Sequence, residues 1–375
     1  MRPKAKNRRP DLEVESLRAE GLDFIDPRTV APGASMGSPI LRDGQDSEEE
    51  AVLNISLRPS KLSEFIGQKE LAQNLTVCLT AARERKEPLE HILLSGPPGL
   101  GKTCLAHIIA HEMHSKITAT SGPAIERAGD LIGILTNLEK GDILFIDEIH
   151  RMSKVVEEFL YPAMENTEID FVIDKGPYAK TIKFRLKPFT LVGATTRSGL
   201  LSAPLRSRFG IFYHLDFYGI EDLALIVKRS AKLLNVEVDK DACAEIAARA
   251  RGTPRIANRL LRRVRDYAQV AKAATIDGKL AAKSLDELRI DKNGLDEMDR
   301  KVLKTIITIF DGGPVGVESL AASLNEEVDT ISDTVEPYLL KAGYIKRTSR
   351  GRQATKAAFA ALNLPYNPEK QPELF

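Results

Sequence analysis

A chain of 375 residues is longer than one ordinary globular domain, so we expect two or three folded units. Hydrophobic residues make up 43% and charged residues 29%, which excludes a collagen-like or wholly disordered chain. Lys+Arg total 54 against Asp+Glu 53, so any surface that binds nucleic acid must be a local patch. No apolar run approaches the roughly 20 residues that span a bilayer, so no membrane association is expected. The three cysteines are scattered, which favours a reducing, cytoplasmic location over a disulfide framework.

Residues 1–50 differ in composition from the rest of the chain. A basic start (MRPKAKNRRP) is followed by a segment rich in Pro, Gly and Ser and then by an acidic run, DSEEE. Few apolar residues recur with any period, so we interpret this segment as a flexible N-terminal extension. A weak nucleic-acid contact by Arg2–Arg9 is the alternative to a purely solvated role.

The globular pattern begins near residue 53 with apolar residues at helical spacing between Leu71 and Ala82. Apolar runs of strand length then alternate with helical patterns. This alternation predicts a parallel sheet that is covered by helices on both faces. The predicted strands are His91–Ser95, Ile117–Thr120, Asp142–Ile146, Thr190–Ala194 and Ile211–Phe217.

After residue 217 the pattern changes twice. Residues 220–291 predict helices only, and residues 294–364 predict three helices followed by a short hairpin. The segment 341–356 has six basic side chains and no acidic ones. A helix followed by a basic hairpin is typical of a winged helix, in which Arg347, Arg350 and Arg352 would contact phosphates without reading sequence. A merely solvated hairpin is the alternative.

A phosphate-binding loop is the strongest local motif. Residues 96–103 read GPPGLGKT, after an apolar strand and before a helical pattern. Glycines such as Gly99 and Gly101 let backbone N–H groups wrap around phosphates at a helix N-terminus. Lys102 would reach the β- and γ-phosphates of ATP, and the Thr103 hydroxyl would bind Mg²⁺.

An acidic pair follows the third predicted strand. Asp147 would hold Mg²⁺ through its water shell, and Glu148 would orient and polarise the attacking water. Acidic pairs after strands also cap helices, but the phosphate-binding loop some 50 residues upstream favours the catalytic interpretation.

Two further motifs complete a hydrolytic site. The fourth strand ends in Thr195-Thr196-Arg197, which places hydroxyl groups beside the γ-phosphate. Arg206 and Arg208 precede the fifth strand, and a guanidinium there can neutralise charge on a transferring phosphoryl group. These motifs alone do not decide whether such an arginine acts within its own chain or on a neighbour.

In this order the motifs resemble those of the AAA+ ATPases, and within them the chain is similar to the RuvB family of bacterial branch-migration motors. The resemblance covers Leu57 to Leu364. It is carried by LRPSKLSEFIGQ (57–68), GPPGLGKT, ILFIDEIHRMS (143–153), LYPAME (160–165), FTLVGATTR (189–197), PLRSRFGI (204–211), RARGTPRIANRLLRRVRD (249–266) and GGPVG…RTSRGRQAT near the C-terminus.

The resemblance implies an α/β fold with an AAA+ P-loop core, a small all-helical lid and a C-terminal winged helix. The expected limits are 51–217 for the large ATPase domain, 218–293 for the lid and 294–364 for the winged helix, with a tail at 365–375. The family also implies a homohexameric ring on double-stranded DNA that uses ATP and Mg²⁺.

Individual roles follow from the same resemblance. Leu57 and Arg58 would lie near the adenine and Tyr218 at the core–lid junction, while Thr196 would be the first nucleotide sensor and Arg255 the second. Arg208 would be the arginine finger that acts on the adjacent subunit, with Arg206 as its rival. The further nucleotide-binding positions are Cys104, Glu165, Asn166 and Thr167.

Cys104 stands where the family usually has a second hydroxyl residue, which puts nucleotide affinity in question. Seven arginines lie between residues 249 and 265. We expect Arg255 to face nucleotide and the others to pair with acidic side chains or helix ends of the neighbouring subunit.

Partners are also implied. The segment FVIDKGPYAKTIKF predicts a hairpin, at about 168–186, where the family docks RuvA, the junction-recognition partner; RuvC would join in a resolvasome. The last residues, Gln371–Phe375 (QPELF), resemble the short peptide with which bacterial proteins bind the replication sliding clamp.

The function implied is ATP-driven branch migration of Holliday junctions in recombination and repair, in the cytoplasm and on the nucleoid. Two alternatives stay open. A clamp-loader ATPase typically carries Ser-Arg-Cys at the arginine turn, where this chain has Ser207-Arg208-Phe209. An ATP-switched origin-binding protein with a winged helix would instead bind a particular sequence and hydrolyse slowly.

Overall fold

The structure is a computed structural model that describes residues 56–173 and 180–366, without the side chains of residues 170–182. The predicted N-terminal extension, the Gly176-Pro177 turn of the hairpin and the Gln371–Phe375 peptide lie outside the described residues. In the described ranges, no helix has both the length and the apolar character needed to cross a bilayer.

A five-stranded parallel sheet organises the first part of the chain, as the sequence predicts. The strand order is β2-β3-β6-β1-β7. The strands are β1 (Ile92–Ser95), β2 (Ile117–Ser121), β3 (Ile143–Asp147), β6 (Thr190–Thr195) and β7 (Ile211–His214). The last strand stops at His214 and not at the predicted Phe217, because His214 pairs with Ser95, where its neighbour β1 ends.

Helices cover both faces of this sheet. They are α1 (Lys69–Arg85), α2 (Lys102–Glu112), α3 (Ala128–Thr136), α4 (Lys154–Asn166) and the short α5 (Ala203–Arg206). Ile92 and Leu94 of β1 join the core on one face, and Leu93 joins the core on the other. Burial on both faces explains why the strands read as continuous apolar runs.

Strands β4 (Glu168–Ile173) and β5 (Lys180–Arg185) form the predicted antiparallel hairpin, with Glu168 paired to Arg185 and Ile173 to Lys180. Ile169 is buried at the base of the hairpin, whereas Phe184 is half exposed.

The next segment is all-helical, with α6 (Ile220–Leu233), α7 (Lys240–Arg249), α8 (Pro254–Val270) and α9 (Gly278–Glu287). Its buried side chains, such as Leu260 and Leu285, belong to the same apolar cluster as Ile92 and Leu94 of the sheet. The helical segment and the core therefore share one apolar interior.

The last segment has its own apolar core. It contains α10 (Glu297–Thr308), α11 (Val317–Leu324), α12 (Glu336–Lys341), β8 (Ile345–Thr348), β9 (Gly351–Ala354) and α13 (Lys356–Ala361). The predicted third helix is present, but Thr330–Val335 forms a π-helical turn before α12. Pro337 lacks an N–H group for the carbonyl of Asp333, which is consistent with this widening.

At least four of the seven arginines pair within their own chain, so the expectation of contacts with a neighbouring subunit is wrong for them. Arg263 and Arg265 both contact Asp266 at 3.5 Å. Arg249 is 1% exposed and lies 2.5 Å from both Glu245 and Asp286. Arg251 pairs with Asp296 and Asp299 and donates to the Gly294 carbonyl. Arg251 thereby ties the helical segment to the winged helix, because a buried guanidinium requires charged partners.

Candidate active site

The loop between β1 and α2 has the backbone shape of a phosphate cradle. Gly96 has φ +137°, and a Cβ there would lie 2.4 Å from the Leu215 carbonyl oxygen. At Gly99, a Cβ would lie 2.7 Å from Cγ2 of Thr253, in the helical segment that follows the core. Only glycine fits at either position, so the loop can wrap tightly at the N-terminus of α2.

Lys102 and Thr103 are the first residues of α2 and point into this loop region. Lys102 is 7% exposed, and its ammonium donates to the carbonyls of Gly96 and Pro97, both at 2.8 Å. The Thr103 hydroxyl donates to Oδ2 of Asp147, at the end of β3, at 3.1 Å. The side-chain oxygens of Thr103 and Asp147 thus lie close together, and Mg²⁺ prefers oxygen ligands of this kind.

A cleft of about 520 Å³ opens around the loop, a size typical of nucleotide-sized ligands. The predicted site residues that line it are Leu57, Arg58, Gly99, Gly101, Lys102, Thr103, Cys104, Asp147, Glu148, Tyr218 and Arg255.

The far wall of the cleft comes from the helical segment. The Arg255 backbone N–H donates to the Gly99 carbonyl at 3.4 Å, and buried Tyr218 donates its hydroxyl to the Leu100 carbonyl at 3.2 Å. Arg229 of α6, which the sequence prediction missed, also lines the cleft and donates to the Leu57 carbonyl at 2.8 Å. A basic residue on a helix carries no local motif, so only the folded chain identifies it.

Glu148 sits beside Asp147 in a left-handed backbone conformation, with φ +46°. Its carboxylate accepts a hydrogen bond from the Thr196 hydroxyl at 3.1 Å. Its other close contact is Nδ1 of His150, at 3.2 Å. Burial lowers the pKa of His150 below its ordinary value, so the imidazole beside Glu148 is neutral at pH 7.

Thr196 is therefore joined to the cleft through Glu148. The remaining predicted positions Glu165, Asn166, Thr167 and Arg208 lie outside the cleft lining, at the end of α4 and after α5. Arg208 contacts Glu165, with 3.0 Å between its Nη2 and the Oε1 atom. These residues form a separate group that does not reach the nucleotide cleft of its own chain.

Cys104 is buried against the segment that carries Leu57 and Arg58. Its Sγ lies 3.7 Å from the Pro59 carbonyl oxygen, and burial raises the pKa of the thiol to about 11. The side chain thus acts as a small neutral donor, much as a serine would.

The basic hairpin β8–β9 carries the three predicted DNA contacts, but two of them share one carboxylate. Glu336 is 1% exposed and accepts from Nε of Arg347 at 2.6 Å. It also accepts from Nε and Nη2 of Arg352, at 3.1 and 2.9 Å. Arg350 lies exposed at the tip of the hairpin. The sequence prediction missed Glu336, which holds the two arginines on the hairpin surface.

Comparison with known proteins matches each segment to one family. The Holliday junction DNA helicase RuvB P-loop domain matches residues 57–215, the RuvB AAA lid domain 218–291 and the RuvB C-terminal winged helix domain 292–363. The Holliday junction branch migration complex subunit RuvB of Dehalococcoides mccartyi (strain CBDB1) is 58% identical over 330 residues, covering 88% of this chain and 95% of that protein. The protein of the same name from Chlorobaculum parvum (strain DSM 263 / NCIMB 8327) is 58% identical, covering 82% and 90%.

Solved structures agree with this assignment. The Thermotoga maritima RuvB Holliday junction branch migration motor is 54% identical, with a TM-score of 0.77, and covers 83% of this chain and 100% of that one. A point mutant of the same protein has a TM-score of 0.78 and covers 83% and 99%. Sequence and structure thus agree over the P-loop, lid and winged-helix segments, and the chain belongs to the RuvB family of Holliday junction branch-migration ATPases.

Proposed function

We propose that this chain is the motor subunit that moves Holliday junctions along double-stranded DNA, using ATP hydrolysis in a homohexameric ring. The observation that carries the proposal is the arrangement of Thr103, Asp147, Glu148 and Thr196 around one end of the cleft, with Arg208 directed elsewhere. Such a site would bind ATP and activate water in one subunit, and the arginine of a neighbouring subunit would add the positive charge that stabilises the transferring phosphoryl group.

This geometry supports the following proposed roles for the residues. Thr103 and Asp147 would hold Mg²⁺, which neutralises phosphate charge when it is bound. Lys102 would move from the loop carbonyls to the β- and γ-phosphates. Glu148 would accept a proton from the attacking water, and Thr196 would orient the Glu148 carboxylate.

The nucleotide would be enclosed from the lid side. Leu57, Arg58 and Cys104 line the cleft and would contact the adenosine, and Tyr218 and Arg255 line it from the segment that follows the core. A change in the nucleotide would alter the contact between Arg255 and Gly99, and with it the angle between core and lid.

Arg208 is the better candidate for the arginine finger. Its side chain is 20% exposed, and its guanidinium is held by the Pro204 carbonyl and Glu165. Arg206 is exposed, with its guanidinium 6.0 Å from the Phe212 ring centroid. A preorganised charge loses less entropy on meeting a phosphate than a mobile one. In the ring, Glu165, Asn166 and Thr167 would lie beside the neighbour's nucleotide together with Arg208.

The remaining assignments rest on the family. We propose domain limits of 51–217, 218–293 and 294–364, with Arg347, Arg350 and Arg352 on the DNA backbone. The hairpin at about 168–186 would dock RuvA, RuvC would join in a resolvasome, and Gln371–Phe375 would bind the sliding clamp. The location would be the cytoplasm, at the nucleoid when DNA is bound.

The test is ATP-dependent movement of a synthetic four-way junction in the presence of RuvA. The wild-type chain should convert the junction into duplex products. The Glu148→Gln variant should bind ATP but neither hydrolyse it nor move the junction. Sequence-specific duplex binding without junction movement would contradict the proposal and favour an ATP-switched DNA-binding protein.

A further inference from the structure

The guanidinium of Arg208 rests on an aromatic ring. Its Cζ lies 4.4 Å from the ring centroid of Tyr161, within the range of a cation–π contact. Its Nη1 donates to the Pro204 carbonyl at 2.7 Å, and its Nη2 faces Glu165 at 3.0 Å. Its buried Nε has no hydrogen-bond partner among the described residues. The contact with the Tyr161 ring thus helps to hold the guanidinium in place without a hydrogen bond.

Tyr161 is itself held in place. Its hydroxyl donates to Oε1 of Glu157 at 2.6 Å and lies 3.2 Å from Oγ of Ser202. Ser202 also donates to Glu157, which is 8% exposed, and its Oγ accepts from the backbone N–H of Leu205 at the start of α5. The ring and the turn that carries Arg208 are therefore anchored to one buried carboxylate.

The sequence contains a signal for this cluster. Glu157, Tyr161 and Glu165 are four residues apart along α4, so they lie on one face of that helix. All three contact the segment 202–208. The face contributes to neither strand pairing nor the nucleotide cleft, and a buried carboxylate such as Glu157 is costly to maintain for packing alone.

We propose that Tyr161 is the positioning residue of the arginine finger, an inference that rests on the action of Arg208 on a neighbouring subunit proposed above. Arg208 has four rotatable side-chain bonds, and the ring restricts them before the neighbour's nucleotide arrives. Because the cation–π contact with Tyr161 does not occupy a hydrogen-bond acceptor, N–H groups of Arg208 stay available for phosphate oxygens once Glu165 gives way. Glu165 is 51% exposed, so water weakens its hold on Arg208.

A positioning residue of this kind has a kinetic signature. Tyr161→Leu removes the ring face and should lower kcat of the assembled ring about tenfold, the size of one cation–π contact. KM for ATP should change less than twofold, because Tyr161 lies outside the cleft. Tyr161→Phe keeps the ring, loses the hydroxyl contacts and should lower kcat only about threefold.

Mixed rings show to which subunit the defect belongs. In the reference mixture, Lys102→Ala subunits have an intact arginine finger but a defective ATP site. Arg208→Ala subunits have an intact ATP site but lack the arginine finger. Random mixing makes about a quarter of the interfaces competent, and ATP hydrolysis should return to a corresponding fraction. Two further mixtures then place Tyr161→Leu either on the finger-donating subunit or on the ATP-binding subunit.

We expect Lys102→Ala/Tyr161→Leu mixed with Arg208→Ala to recover about tenfold less hydrolysis than the reference. We expect Lys102→Ala mixed with Arg208→Ala/Tyr161→Leu to match the reference. A defect that follows the ATP-binding subunit, or that is equal in both mixtures, overturns the proposal and makes Tyr161 a structural residue.

Failure of the reference mixture itself would refute the trans action of Arg208, and this inference with it. Folding of every variant is checked by thermal melting, and the variants that keep Lys102 are also checked by binding of fluorescent ADP. If Tyr161→Leu does not fold, Tyr161→Phe enters the same mixtures, with a threefold defect expected only on the finger-donating side.

Discussion

Glu336 restrains Arg347 and Arg352, which we propose as DNA contacts, and neutralising it should strengthen binding to duplex DNA. Its carboxylate is buried and shared by Arg347 and Arg352, so the three side chains together carry one net positive charge. Glu336→Gln leaves two. Each additional phosphate that an arginine contacts steepens the dependence of log K on log salt by about 0.9. We therefore expect tighter binding at low salt and a slope steeper by about 0.9.

The same substitution should destabilise the winged helix. The amide that replaces the carboxylate keeps one acceptor oxygen but turns N–H groups toward an arginine, so we expect a loss of about 1–3 kcal/mol. This is less than for a fully buried pair, because the Arg347 side chain is 58% exposed. Burial raises the pKa of Glu336, but hydrogen bonds from Arg347 and Arg352 more than offset this and leave it below its ordinary value of 4.5. The ion pairs of Glu336 with Arg347 and Arg352 thus contribute their full stability above pH 4.5, and this contribution is lost as the pH falls through the lowered pKa of Glu336.

The assay is fluorescence anisotropy of a labelled duplex over a salt series, with thermal melting in parallel. Glu318→Gln is the matched control, since it makes the same change in charge at an exposed position of α11 in the same domain, and Glu336, not Glu318, is the ion-pair partner of the two arginines. Unchanged affinity and slope in a folded Glu336→Gln variant would refute the claim that Glu336 restrains these arginines.

Three further predictions concern the nucleotide site. Thr103→Val removes the hydroxyl beside Asp147 and should lower kcat at least a hundredfold in steady-state ATPase assays. Binding of ADP without Mg²⁺ should change less than threefold. A loss of ADP binding as large as the loss of kcat would contradict a role of Thr103 in holding Mg²⁺. Cys104→Ser keeps a small donor toward Pro59 and should leave Kd for ATP within about threefold of the wild-type value. Burial raises the pKa of the wild-type thiol to about 11, so Cys104 should resist alkylation by iodoacetamide at pH 8, as followed by mass spectrometry. Burial lowers the pKa of His150 below 6.5, so its protonation at a pH below this ordinary value should place a cation beside Glu148 and reduce kcat. His150→Gln should flatten the acidic limb of the pH profile, and an unchanged limb would exclude His150 as its source.

The local motifs of this chain were predictable because each has a backbone cause. Gly96 and Gly99 adopt conformations that side chains exclude, and strand-length apolar runs reflect burial on both faces of the sheet. Where β7 ends was less predictable, since it depends on where its neighbour β1 stops.

Contacts between distant segments left no local signal. Arg229 reaches Leu57 across 172 positions, and Arg251 pairs with Asp299 in the next domain. From sequence alone, such a cationic side chain is interpreted as solvated or as a contact between subunits, because its partner lies in a distant segment that packs against it only in the folded chain. The cluster around Tyr161 is an intermediate case, because its spacing of four was visible but its contact with residues 202–208 was not.

The central claim is that ATP hydrolysis at a site shared by neighbouring subunits drives DNA movement. The most direct measurement is movement of a four-way junction, with RuvA present, by rings mixed from Lys102→Ala and Arg208→Ala subunits. Each variant alone should be inactive, and the mixture should move junctions at a measurable fraction of the wild-type rate. A mixture that stays as inactive as its separate components, although it forms rings, would contradict the account.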